Sequence, residues 1–282
     1  METLAMGGMT GKPGMIEAMG GMGFMINPMT KWALEAYLVA VVFYLLSLIT
    51  LVFPRKTWST WMLGMGLAAN LVSLGLRVAL QWPMQAPYQG PFWITACLAA
   101  LDLFFTLKGK RRLGCALLPV LTLLAALGAL FHGDSYVPFP RSNTIAAHLS
   151  LLLISVGKAF FIASAVEALM HLFGKASDSW GPAARSFFGS LVVWGFVPYT
   201  LGLFLAEIWA YLAWSSPVVW EDFAMVSTMA LWFFYSCFLH LHLLNRWSTD
   251  KRAWFALVGL PILFYFIYLP ELGPLALPEI GL

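Results

Sequence analysis

Charge is what this chain has least of. Only 10% of its 282 residues are Asp, Glu, Lys or Arg, against about 25% in soluble domains. With 61% hydrophobic residues and a mean hydropathy of +0.81, that scarcity excludes a water-soluble globular fold and gives no basis for nucleic-acid binding. Cysteine is scarce too. Cys97, Cys115 and Cys237 stand far apart in apolar runs. There is no Cys-x-x-Cys pair, which excludes a covalent haem-attachment motif and a disulfide framework; the three read as small buried hydrophobes. The first thirty residues contain no apolar core of 7–15 residues, so the first spanning segment is expected to act as its own insertion signal. No internal repeat and no paired half-helices of the transporter type are visible.

What is present is a series of long apolar runs. Eight of them, near 32–53, 58–80, 90–107, 112–132, 143–173, 184–214, 219–244 and 253–270, are each compatible with the roughly 20 residues that a bilayer crossing needs. The expected fold is an all-α integral membrane bundle of about eight transmembrane helices over 31–272. A Met/Gly-rich N-terminal tail (1–30) precedes it and a short C-terminal tail (273–282) follows. Eight of the fourteen methionines fall in that first tail. Two readings stand there: a plastic docking strand, or a soft-metal site without His or Cys to support it.

Alternate loops divide the cations unevenly. Arg55, Lys56, Lys108, Lys110, Arg111, Arg112, Lys175, Arg185, Arg246, Lys251 and Arg252 make eleven on one side, and Lys12, Lys31 and Arg141 make three on the other. Cytoplasmic loops carry the excess of Lys and Arg, so both termini are expected on the non-cytoplasmic side of a cell inner membrane. Trp82, Trp214 and Trp220 then fall in outer loops, where an aromatic belt belongs.

Ionisable residues inside the spans are costly and mark partners or cavities. Glu167 and His171, four apart on one helix, are expected to pair; Arg77, near a helix end, to snorkel; Asp102 to sit close to the following four cations. Lys158 lies deep in the fifth segment with no carboxylate three or four residues away, and Glu207 on the sixth is the partner expected for it. An inter-helix ion pair and a contact to a quinone oxygen, a haem propionate or a proton path remain alternatives. His148 opens the fifth segment and His240 closes the seventh. They stand at opposite membrane faces and cannot share one metal, because a metal–nitrogen bond is about 2 Å. His240 and His242, two apart on a helix, face different ways.

These residues resemble the cytochrome c assembly family, the CcsA/ResC and HemX-like haem-handling membrane proteins. His148-Leu149-Ser150 with Ser155 downstream is similar to the family's outer histidine segment. The interval from Asp222 to His240, with Trp232 between and Trp247 seven residues beyond, matches the family's spacing, as does the eight-span layout. The resemblance implies haem b handled by His148 on the outer side and His240 on the inner, and an aromatic platform of Trp209, Trp214 and Trp220 closed by Asp222. A c-type cytochrome or assembly protein would be the partner. There are departures. The compact tryptophan loop is stretched from Glu207 to Asp222, Asn70 stands where a histidine is expected seven residues before Arg77, and no histidine follows Tyr268. A second reading takes these losses as the mark of a repurposed subunit of a respiratory cytochrome complex, anchoring other membrane subunits and contacting quinone near Lys158.

Overall fold

A computed structural model describes residues 28–51, 56–81, 89–131, 144–173, 187–218, 220, 223–243 and 247–271. All regular structure among them is helical: α1 (Pro28–Thr50), α2 (Lys56–Gln81), α3 (Gly90–Leu107), α4 (Arg111–Leu130), α5 (Ile145–Phe173), α6 (Phe187–Trp214), α7 (Phe223–Leu243) and α8 (Thr249–Leu263). The first seven are long and apolar enough to cross a membrane, and the chain is a multi-pass membrane protein. The eighth is only 15 residues, but it runs on through a π-turn (Phe264–Tyr268) to Glu271. The eighth apolar segment read from the sequence, near 253–270, falls within this helical path. Pro261 sits just before the π-turn; its missing N–H and its ring disturb the α ladder there.

Helices pack as two rings of four. In the first, α1 contacts α2, α2 contacts α3, α3 contacts α4 and α4 closes on α1. In the second, α5, α6, α7 and α8 close in the same way. The rings meet mainly where α3 and α4 touch α5, and Tyr268, beyond α8, donates to the carbonyl of Leu124 on α4. Successive helices alternate in direction. Ser47 meets Ser59 while Ala33 meets Ser73, and Gly114 lies at Asp102 while Gly128 lies at Pro91. All the described cations of the α3–α4 turn, with Lys251 and Arg252, therefore share one end of the molecule. We call it the cation-rich end, and the opposite one, with Trp209, Trp214 and Trp220, the tryptophan end.

The second ring is held by close approach of backbones. A Cβ on Gly157 would lie 2.9 Å from the carbonyl of Gly195, and one on Gly202 would lie 2.9 Å from the amide of Ile154. In a membrane, where lipid is as apolar as leucine, such small-residue crossings supply the association energy through van der Waals contact. Phe161 on α5 stacks on Tyr235 of α7 with centroids 3.6 Å apart and planes 11° apart.

The first ring is polar inside. Asn70 Nδ2 donates to Tyr44 Oη at 3.3 Å and to Thr95 Oγ1 at 3.1 Å. Thr95 spends its own proton on the carbonyl of Pro91 or Phe92, so Tyr37 is the donor in the 3.3 Å Tyr37–Thr95 bond. One layer up, Arg77 lies over the Phe92 ring at 3.7 Å, and Tyr37 meets the same ring edge-on at 4.6 Å. Arg77 is 1% exposed. It does not snorkel: the aromatic face of α3 gives the guanidinium an interior seat.

Candidate functional site

At the tryptophan end, Thr144 caps α5. Its Oγ1 accepts from the amide of Ala147 at 3.3 Å, satisfying one of the free N–H groups of the first turn. The carbonyl of the same threonine lies 3.1 Å from His148 Nδ1. A carbonyl can only accept, so Nδ1 carries the proton in this bond. That is the tautomer a metal-binding imidazole needs, with Nδ1–H held by a backbone oxygen. The ring is half-buried.

The α5–α6 crossing sets the level of everything on α6. Gly202 lies against Ser150 and Ile154, and Gly195 against Gly157 and Phe161. Extending that antiparallel register brings Glu207 to the height of His148, with Trp209 just beyond. Trp209 and Trp214 meet edge to face with centroids 5.0 Å apart. α6 ends at Ser215, whose left-handed φ of 58° turns the chain outward while its amide still reaches Tyr211 O at 2.8 Å. Trp220, 72% exposed, follows; Asp222 lies outside the described residues.

The same register separates Lys158 from Glu207. Lys158 is level with Gly195, and Glu207 is twelve residues further along α6, about 18 Å at 1.5 Å per residue. The ion pair expected from the sequence therefore does not form. Lys158 is 1% exposed on the inner face of α5, at the level of the ring's glycine crossing rather than at its mouth.

His240 sits near the cation-rich end of α7. Its Nδ1 donates to Ser236 O at 2.8 Å, and the ring is exposed on the bundle exterior. The Phe161–Tyr235 stack fixes the level of α7 against α5: His148 is thirteen residues to one side of it and His240 five to the other, a separation of about 27 Å. The two imidazoles belong to different places, as the sequence implied. His242 has no described side chain.

Other polar groups pair differently from the sequence expectation. His171 Nε2 lies 3.1 Å from Asp250 Oδ1 at the start of α8, 79 residues away, while Glu167 stands in the field of Lys110 and Arg112 as well as of His171. Lys110 Nζ lies 3.1 Å from the centre of the Phe187 ring; burial holds its ammonium below the ordinary lysine range, with Glu167 pulling the other way. Among the described residues no cluster of three or more His, Cys, Asp or Glu is placed to hold a metal ion.

No protein-family model matches the chain, and no solved structure matches it. Curated proteins do. A cytochrome c biogenesis protein CcsA of Chlamydomonas reinhardtii is 25% identical over 248 residues, covering 80% of this chain and 69% of that protein. A cytochrome c biogenesis protein CcsA of Prochlorococcus marinus strain MIT 9515 is 35% identical over 82 residues, 28% of this chain and 24% of that protein. The chain is thus weakly homologous to CcsA cytochrome c biogenesis proteins. Neither name speaks of a respiratory subunit or a quinone.

Haem is the cofactor that this likeness implies. At the tryptophan end the donor set fits one axial ligand: an imidazole whose Nδ1 proton is committed to a backbone carbonyl, on the same end as two edge-to-face indoles. At Asn70 the donors do not fit. The carboxamide is fully buried and its NH2 is spent on Tyr44 and Thr95, and an amide is a poor haem ligand.

Proposed function

We propose that the protein handles haem at its tryptophan end in the biogenesis of c-type cytochromes. The observation that carries this reading is His148. Its Nδ1–H is held by the Thr144 carbonyl at the level of Glu207, on the end of the bundle that carries the Trp209–Trp214 pair, in a chain similar to CcsA over most of its length. His148 would hold the iron from one side, and Trp209, Trp214 and Trp220 would offer flat apolar faces to the macrocycle. Thr144 orients the imidazole by holding Nδ1–H. Haem, when bound, would be the group passed to cytochrome thiols. This end of the bundle would then face away from the cytoplasm, as the loop cations imply, in a cell inner membrane. An apocytochrome or an assembly protein would meet it there.

His240 would be a ligand on the opposite face. Because its ring lies on the bundle exterior, a haem there would rest between α7 and a neighbouring molecule or lipid.

The test is a visible spectrum of the full-length protein purified in detergent, oxidised and reduced. The expected result is a b-type signal that falls at least tenfold in His148→Ala, recovers with added imidazole, and changes less in His240→Ala. A colourless protein whose complementation of cytochrome c maturation is unaffected by His148→Ala would overturn the reading.

A further inference from the structure

At the cation-rich end of the first ring, all four helices surround one small polar niche. It is lined by Ser59 and Thr60 of α2, Asp102 and Thr106 of α3, and Arg111 and Cys115 of α4, with Leu51 at the end of α1 closing it. Asp102 is only 2% exposed. Thr106 donates to its Oδ1 at 3.3 Å, yet its Oδ2 is buried and has no hydrogen bond among the described residues. Gly114 of α4 presses on both side chains, leaving no room for a Cβ there. The hydroxyl protons of Ser59 and Thr106 are already committed. Ser59 and Ser47 exchange bonds, each donating to the other's carbonyl at 3.1 and 2.8 Å, and Thr106 donates to the carboxylate. What Ser59, Thr106 and Asp102 turn toward the cavity is therefore lone pairs.

A buried carboxylate oxygen with no donor costs several kcal/mol in an apolar medium. A guest that relieves it must be small and must either donate a hydrogen bond or carry positive charge to the oxygen. The space suits one: the cavity admits the centre of a water-sized sphere over about 10 Å³, roughly one water or one bare ion. Hard oxygen ligands select hard cations. A divalent ion is disfavoured, because no second carboxylate lines the niche and Arg111 already places a positive charge at its edge.

We propose that this niche binds one small monovalent cation of the size of Na+, with Asp102 as its charged ligand and the Ser59 and Thr106 hydroxyls completing an oxygen cage. The site is separate from the tryptophan end and does not depend on haem handling there. It would tie α2 to α3 at the cation-rich end, where α4 also lines the niche, making the packing of the first ring sensitive to the salt on that face.

The probe is NaCl against choline chloride at equal ionic strength, with full-length protein in detergent. Dicyclohexylcarbodiimide modifies a buried protonated carboxyl, and a bound cation protects it; peptide mass spectrometry reads the label on Asp102. At about ten times its dissociation constant, Na+ is expected to slow labelling about tenfold and to raise the midpoint of thermal unfolding. Choline is expected to do neither. Thr106→Val is expected to weaken protection several-fold with the fold retained, and Asp102→Asn to abolish both effects. Should Asp102→Asn fail to fold, the wild-type competition and Thr106→Val decide alone. Labelling and melting that are equal in the two salts would overturn the proposal, whether Asp102 reacts as a bare carboxyl or not at all. Protection unchanged by Thr106→Val would overturn the oxygen cage.

Discussion

The two rings share a topology and differ in what fills them. The first is joined by side chains: Asn70, Tyr44, Thr95 and Tyr37 bridge three helices with hydrogen bonds, and Arg77 rests on Phe92. The second is joined by backbones at Gly157, Gly195 and Gly202. Glycines occur in the first ring too, but Gly66, Gly114 and Gly128 face the ends of side chains, Tyr44, Asp102 and Tyr37, which can give way. A carbonyl on a packed helix cannot. The same up-and-down fold therefore rests on directional polar contact in one half and on steric fit in the other, and the halves should fail in different ways.

The sharpest break in that contrast is Gly157→Leu. Its side chain would meet Tyr199 and the backbone of Gly195, and overpacking against a fixed neighbour costs about 3 kcal/mol or more. We expect loss of the folded protein, or a large fall in the midpoint of thermal unfolding followed by tryptophan fluorescence. Gly75→Leu, where nothing lies within 4 Å, should leave that midpoint unchanged. Next is Asn70→Ala, which removes the donor to Tyr44 and Thr95 and should cost about 1–3 kcal/mol, read as a lower midpoint. The smallest effect sharpens the comparison by its sign. Tyr235 Oη is buried against Gly259 with no hydrogen-bond partner among the described residues. Tyr235→Phe keeps the stack on Phe161 and should be neutral or stabilising by up to about 1 kcal/mol. Tyr44→Phe should destabilise by a similar amount. If both substitutions cost the same, the distinction between the rings is wrong.

The helices were legible because each declares itself in one uninterrupted window of hydropathy. The same holds for the segregation of cations, since Lys108, Lys110, Arg111 and Arg112 stand together in one turn. What decides the interior was not legible. The seat of Arg77 is an aromatic ring on the next helix, and the partner of His171 lies 79 residues away. Nothing local announces either. His148 was singled out by its likeness to a family histidine segment, and the bond its ring makes to the carbonyl four residues back is local to the chain. The outward aspect of His240 could not be read, because it depends on how α7 rotates to stack Tyr235 on Phe161. The depth mismatch of Lys158 and Glu207 is a matter of register, and the register is set by glycines that hydropathy treats as neutral.

The length of α5 has a consequence of its own. At 29 residues it measures about 43 Å, while the hydrocarbon of a bilayer is about 30 Å thick. Even with an ordinary tilt, several residues at its tips rise out of the acyl chains. His148 and His171 then stand among headgroups and water, so reagents supplied from either aqueous compartment can reach them without partitioning into lipid. Protons and small imidazole-like solutes added to one side alone would report on one histidine alone.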